Sequence, residues 1–85
     1  NTSSIEDIIF TFSEVRDLQF QLNQDKEIFD ILIDIEKEAN LQEIKDKINL
    51  FTNSDLGKLV RSVNSLDFKL SGNQSKKLRV VLLDK

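Results

Sequence analysis

The chain contains no cysteine, histidine, methionine, proline, tryptophan or tyrosine, and only two of its 85 residues are glycine. Without cysteine it forms neither a disulfide nor a thiolate metal site. Without histidine it lacks the side chain that most often serves as general base and metal ligand. Gly-rich phosphate loops and the motifs of the common nucleophilic enzymes are also missing. The composition therefore predicts a domain that catalyses nothing and uses no cofactor or metal.

Carboxylates are abundant, and Asp30, Asp34 and Glu38 would form one stripe on a helix. Helical carboxylates four residues apart make a poor cage for Ca²⁺ or Mg²⁺, so a solvated acidic face is favoured over a metal site. The one basic cluster, residues 76–79, is small, and the chain lacks the Tyr and Trp that stack on bases. These features favour a domain that does not bind nucleic acid directly.

The chain begins with Asn1 and contains no methionine, so we interpret residues 1–85 as one domain cut from a longer protein. No run approaches the roughly 18 apolar residues that a membrane span needs, and no signal-peptide pattern is present. The net charge of −3 is uneven: residues 1–40 have ten acids and three bases, whereas residues 41–85 have five acids and nine bases. An acidic ligand would prefer the second half, although ordinary solvated helix faces explain the same split.

Capping residues and helical apolar spacing predict an all-α fold, a compact bundle of about five short helices. The predicted helices cover roughly residues 4–21, 25–39, 40–53, 54–66 and 74–84. Gly57 lies inside the fourth of these helices, where it is unfavourable by about 1 kcal/mol relative to Ala. We therefore expect another backbone to pass close to Gly57.

Two segments also fit a β-strand. Residues 28–35 are rich in isoleucine, a strand former, but the spacing of four between Asp30 and Asp34 favours the helix. Residues 78–83 contain Val80 and Val81, yet a lone terminal strand without a partner is poorly stabilised. The helical interpretation is therefore preferred for both segments, with the strand as the alternative.

The most loop-like stretch is 67–74, in which Phe68 and Leu70 are separated by Lys69. Apolar side chains in such a loop are either lids on the core or contact points for a partner. The residues alone leave both possibilities open.

Three segments resemble the TFIIS N-terminal domain family, and within it the LEDGF-type integrase-binding domain. They are Ile28–Ile35, Leu56–Val63 and Phe68–Ser71. The resemblance implies a right-handed bundle with a groove between the hinge of helices one and two and the loop of helices four and five. Disordered segments of transcription or chromatin proteins, with a Phe or another large apolar residue among acidic ones, would bind in this groove.

The resemblance also implies the residues of the site. Phe68 and Leu70 would form the pocket wall, Lys69 its rim, and the hinge would add the following residues: Phe20, Leu22, Asn23 and Asp25. It further implies a monomeric interaction module of a nuclear transcription-elongation or chromatin factor. Two alternatives remain: a structural helical domain that self-associates, and a regulatory domain of a larger enzyme.

Overall fold

The computed structural model describes residues 2–36, 40–71 and 76–83 of the chain. Its helices and strands are α1 (Thr2–Ile9), β1 (Val15–Leu22), β2 (Ile28–Ile35), α2 (Leu41–Thr52), β3 (Val60–Ser62), β4 (Leu70–Ser71), β5 (Lys76–Lys77) and β6 (Val80–Leu82). Two 3-10 turns, Leu56–Leu59 and Ser65–Asp67, flank β3.

Four strands form a mixed sheet in the order β3-β2-β1-β6. β1 and β2 are an antiparallel hairpin, β3 is parallel to β2 after the crossover through α2, and β6 is parallel to β1. β4 and β5 form a separate two-stranded ribbon. Among the described residues, β3 and β6 are therefore the two edges of the main sheet.

The hydrophobic core lies between the two helices and one face of the sheet, the helix side. Alternation along β1 and β2 points every second side chain to this face. The fully or largely buried side chains of the core are Ile5, Ile9, Val15, Leu18, Phe20, Leu22, Ile31, Ile33, Ile35, Ile44, Ile48 and Val60.

The opposite face of the sheet, the loop side, carries polar and apolar side chains in the alternate positions. Gln19, Gln21, Leu32 and Asp34 lie there, and all are buried. Val81 is paired with Gln21 and is buried on the same face. Because both faces are covered, β2 is apolar at six of its eight positions, whereas β1 alternates between apolar residues and buried glutamines.

The prediction of an all-α bundle of five helices is wrong, because the fold is α/β with two α-helices and a four-stranded sheet in the described part. The segment 28–35, predicted as a helix, is β2, the strand alternative. Asp30 and Asp34 lie on one face of a strand as readily as on one face of a helix, since four residues is close to one helical turn and is also an even number. The spacing therefore did not discriminate between the two structures.

The helix predicted over 4–21 is α1 followed by β1. In the second half of that segment Leu18, Phe20 and Leu22 alternate with Gln19 and Gln21, a period of two that is typical of a strand. The fourth predicted helix is a 3-10 turn, β3 and a second 3-10 turn. The fifth is replaced by β5 and β6, whereas Gly72 and the rest of 72–75 lie outside the described residues.

The helix predicted over 40–53 is confirmed as α2, which ends at Asn53 in the left-handed conformation with φ 51°. The expected close approach at Gly57 is confirmed as well. A Cβ on Gly57 would collide with the backbone carbonyl of Lys45 and lie 2.8 Å from Asn49 Oδ1. None of the described helices is long and apolar enough to cross a membrane.

Candidate functional site

The segment 65–70 crosses the loop side of the sheet and is held by two buried polar side chains. At one end the Ser65 N–H donates to Asp34 Oδ2 at 3.0 Å. At the other end Gln19 Oε1 accepts from the Lys69 N–H at 2.9 Å, and Gln19 Nε2 donates to the Lys69 carbonyl, also at 2.9 Å. Asp34 belongs to β2 and Gln19 to β1, so the segment runs from one strand to the other.

Gln19 also joins this segment to the chain before β6, because its Nε2 donates to the Leu78 carbonyl at 2.9 Å. Its side chain is 0% exposed, and Gln21 Nε2 donates to its Oε1 at 3.2 Å. A buried amide that lost these partners would leave several polar groups without hydrogen bonds. Gln19 therefore fixes Lys69 and Leu78 side by side on the sheet.

Of the three site residues predicted in this segment, one is buried and two are exposed. Phe68 is only 4% exposed and belongs to the core on the loop side. Lys69 is exposed, and Leu70 is 49% exposed in β4. Phe68 is thus a lid on the core, whereas Leu70 remains accessible to a partner.

The residues predicted at the hinge lie on β1 and in the turn that follows it. Phe20 and Leu22 point to the helix side and are buried in the main core. Asn23 shapes the turn, because its Oδ1 accepts from the Asp25 N–H at 2.9 Å and the Glu27 N–H at 3.0 Å. Gln19 brings Lys69 to β1, but Asn23 lies four residues further along the strand, roughly 13 Å away. The two predicted halves therefore do not close a common groove between helices.

The carboxylates of the predicted acidic stripe are engaged by arginines. Arg61 binds Asp30 in bidentate fashion, with its Nε 3.0 Å from Oδ1 and its Nη2 2.8 Å from Oδ2, and Arg16 Nη2 lies 2.9 Å from Asp34 Oδ1. The hydrogen bonds that Arg61 donates to Asp30 raise the pKa of Arg61 above its ordinary value. Glu38 lies outside the described residues. In the part of the chain that the structure describes, no group of three metal-ligating side chains is assembled.

Burial raises the pKa of Asp34, but its hydrogen bonds outweigh this effect. The Ser65 N–H and the Arg16 guanidinium both favour the ionised carboxylate, so the pKa of Asp34 lies below its ordinary value. Asp34 is therefore a charged anchor of the segment 65–70 at neutral pH.

The outer edge of the sheet, where β6 exposes apolar side chains, is not part of the site predicted from the sequence. Val80 and Leu82 are 36% and 48% exposed, and both are paired in register with the helix-side residues Phe20 and Leu22. Phe10, at the end of α1, is also exposed, and the Arg79 guanidinium lies 4.9 Å from the centre of its ring. The sequence at 80–82 is apolar at every position, so its pattern does not reveal which of these side chains are exposed.

Exposed apolar side chains are concentrated in the C-terminal part of the chain. Of the eight large apolar residues exposed in the described part, five lie between positions 66 and 82: Leu66, Leu70, Leu78, Val80 and Leu82. The segment 68–83 also contains four basic residues and no acidic one. Val80 and Leu82 lie on the helix side of the β6 edge, whereas Gln19 holds Lys69 and Leu78 on the loop side. We name these four residues, together with Leu70, the C-terminal surface.

The charge asymmetry of the sequence is partly neutralised in the fold. Arginines of the second half bind carboxylates of the first: Arg61 binds Asp30, and Arg79 binds Glu6 and approaches Asp17 at 3.7 Å. Among the described side chains of the segment 68–83, Lys69 is therefore the exposed basic residue outside these ion pairs.

Comparisons with protein-family models, with curated proteins and with solved structures find no match for this chain.

Proposed function

We propose that this domain is a protein-interaction module. It binds a short, disordered, acidic segment that carries a Phe or another large apolar residue, and it does so at the C-terminal surface. The observation that carries the proposal is the coincidence of exposed apolar side chains with a stretch, 68–83, that has four basic residues and no acidic one. Apolar patches with a charged surround mark sites of protein interaction more often than solitary exposed residues do.

Apolar and charged side chains contribute differently to such a contact. Buried apolar anchors provide most of the binding free energy, whereas lysines around them attract the acidic flanks and favour the correct partner. A disordered ligand must be ordered on binding, so we expect a dissociation constant in the micromolar range, on the order of 10–100 µM.

The proposal does not depend on the resemblance to TFIIS-type domains, whose helical groove is not part of this fold. A parent protein active in transcription or chromatin, and a nuclear location, stay predictions of that resemblance. The kind of ligand, an acidic segment with a large apolar residue, is supported by the charge and exposure of the C-terminal surface itself.

The test is an NMR titration of the ¹⁵N-labelled domain with an acidic peptide of about ten residues that contains one Phe. We expect saturable shifts of amides in 68–71 and 76–83, and loss of binding when the Phe of the peptide is replaced by Ala. Leu82→Ser should weaken binding at least threefold. Leu50→Ser is the matched control, because Leu50 is 83% exposed but lies on α2, and it should bind as the wild type does.

Two results would contradict this function. One is the absence of any saturable shift with the fold intact. The other is a set of shifts centred on Leu50 and Phe51 with none at 76–83. A mass that increases with protein concentration, without peptide binding, would instead support a self-associating domain.

A further inference from the structure

We infer that the partner segment binds as an additional strand on the outer edge of β6. This inference rests on the proposed function and specifies how the ligand is held. β6 is an edge of the mixed sheet in the described part of the chain, and an exposed strand edge offers backbone groups that an extended peptide can pair with.

The hydrogen bonds between β1 and β6 show which backbone groups face outward. The Phe20 N–H donates to the Arg79 carbonyl, and the Leu83 N–H donates to the Leu22 carbonyl, each at 2.8 Å. In this parallel register Val81 turns its N–H and carbonyl towards β1. The N–H and carbonyl groups of its neighbours, Val80 and Leu82, therefore point away from the sheet.

The side chains beside this edge suit an apolar ligand. Val80 and Leu82 lie on the helix side and stay half exposed there. Arg79 directly precedes Val80, and its guanidinium lies 4.9 Å from the ring centre of Phe10. Side chains of an added strand alternate between the two faces, so every second one would cover Val80 and Leu82. A Phe at such a position would take the place of solvent over the Val80–Leu82 edge.

The opposite edge of the sheet lacks these properties. In β3, Val60 is buried and Arg61 is engaged by Asp30. Among the described residues of that edge, no large apolar side chain is exposed. β6 is therefore the edge that an apolar extended segment would choose.

The charge of the segment 68–83 determines whether an acidic segment of another protein or a second copy of this chain suits the β6 edge. The segment 68–83 carries four basic residues and no acidic one, so two copies joined through β6 would bring two such segments together. Arg79 is already engaged by Glu6 and Asp17, but Lys69 is exposed, and Gln19 holds it beside Leu78, two residues before β6. An acidic extended segment of another protein is complementary, whereas a second copy is repelled.

The decisive experiment uses two backbone-methylated forms of the acidic Phe-containing peptide. One form is N-methylated at the odd-numbered residues of the peptide and the other at the even-numbered residues. Only one phase of an added strand directs its N–H groups at β6, in either strand direction. We expect one form to bind about tenfold or more weakly and the other to bind within about twofold of the unmethylated peptide.

Leu82→Pro in the domain tests the same contact from the other side. Its N–H points outward, so proline removes a donor for the ligand without removing a hydrogen bond to β1, and proline is tolerated at such edge positions. The matched control is Leu82→Ala, which removes most of the side chain but keeps the N–H. We expect Leu82→Pro to bind about tenfold more weakly than Leu82→Ala, with the NMR spectrum of the fold retained. Should Leu82→Pro disturb the β1–β6 pairing, the two methylated peptides decide alone.

The outcomes separate this inference from the proposed function. Equal binding of both methylated forms, with shifts still at the C-terminal surface, overturns strand addition but leaves the function standing. No binding of the unmethylated peptide removes both. A third outcome is a dimer, detected by sedimentation, in which the Val80 and Leu82 amides exchange their hydrogens more slowly as the protein concentration rises. It would identify a second copy as the occupant and overturn the inference.

Discussion

Two polar residues on the loop side determine where the candidate surface lies. Gln19 binds the backbone of Lys69 and Leu78, and Asp34 binds the N–H of Ser65. Both side chains are buried, and each replaces hydrogen bonds that water would otherwise supply. Together, Gln19 and Asp34 hold the segment 65–70, which contains no long strand, against the sheet.

Replacing Gln19 with Leu should destabilise the domain by about 2–4 kcal/mol. The side chain is similar in size, but buried backbone groups of Lys69 and Leu78 would lose their partners. Urea unfolding followed by circular dichroism measures the change, and hydrogen exchange should show faster exchange of the Lys69 amide. Gln24→Leu, at an exposed turn position, is the control and should change stability by less than about 0.5 kcal/mol. A Gln19→Leu variant as stable as the control would show that the buried amide is not an anchor.

Asp34 should make stability depend on pH in the acidic range. Its pKa is lower in the folded state than in the unfolded chain, so its stabilisation is complete above the unfolded value of about 3.9 and is lost as the pH falls below it. The free energy of unfolding should therefore decrease between about pH 5 and pH 3, and this decrease should be smaller in Asp34→Asn. At pH 7 the substitution should destabilise by about 1–3 kcal/mol.

The control for Asp34 is Asp55→Asn. The hydrogen bond and charge of Lys58 also lower the pKa of Asp55, but this pair is exposed to solvent and screened. Its substitution should leave the pH profile close to that of the wild type. Identical profiles for Asp34→Asn and the wild type would assign the acid sensitivity to other carboxylates.

At the scale of elements, the sequence predicted helices better than strands. α2 was predicted within one residue at each end, because Leu41, Ile44 and Ile48 follow a helical period between Asn40 and Asn53. β2 was not recognised, because a strand buried on both faces is apolar at nearly every position and resembles a buried helix. Two carboxylates of β2 bind arginines that are distant in the sequence. Arg16 is 18 residues from Asp34 and Arg61 is 31 residues from Asp30, so local patterns do not reveal these contacts.

The site was harder to predict than the fold for a related reason. The loop position leaves open whether Phe68 and Leu70 cover the core or contact a partner, and the resemblance places both on a pocket wall. Leu70 is exposed, whereas Phe68 is buried because Asp34 and Gln19 hold the segment against the sheet. The sequence allows a strand at 78–83 but does not show its partner. The partner is β1, and Phe20 pairs with Val80, which is 60 residues later in the chain.

The contact between α2 and the following 3-10 turn depends on the absence of a side chain at Gly57. Its N–H donates to Asn49 Oδ1 at 2.7 Å, and a Cβ there would collide with the Lys45 carbonyl. Because the colliding atom belongs to the backbone of α2, Gly57→Ala should force the turn away from the helix and destabilise by about 1–3 kcal/mol. Thermal unfolding measures this, with exposed Lys58→Ala as the neighbouring control. Equal melting temperatures for the two variants would show that the turn moves freely.

For the whole molecule, ion pairs formed on folding determine which basic side chains stay available to a ligand. Carboxylates of the first half neutralise Arg61 and Arg79 within the fold, whereas the segment 68–83 has no carboxylate of its own. Lys69, which is exposed in this segment, is therefore the charge that the proposed acidic ligand would meet first. Its attraction acts over about a Debye length, roughly 10 Å at 0.1 M salt, and is weakened by added salt.

Binding of the acidic peptide should consequently weaken as salt increases, by about tenfold between 50 and 500 mM NaCl. Lys69→Gln should weaken it about two- to threefold at low salt and have little effect at high salt, because the lost attraction is already screened there. Lys58→Gln changes the net charge equally but lies in the turn after α2, so it should bind as the wild type does. Calorimetric titration of all three proteins at both salt concentrations measures the differences. If both variants weaken binding to the same extent, the ligand responds to the net charge of the molecule and not to the lysine beside Leu70.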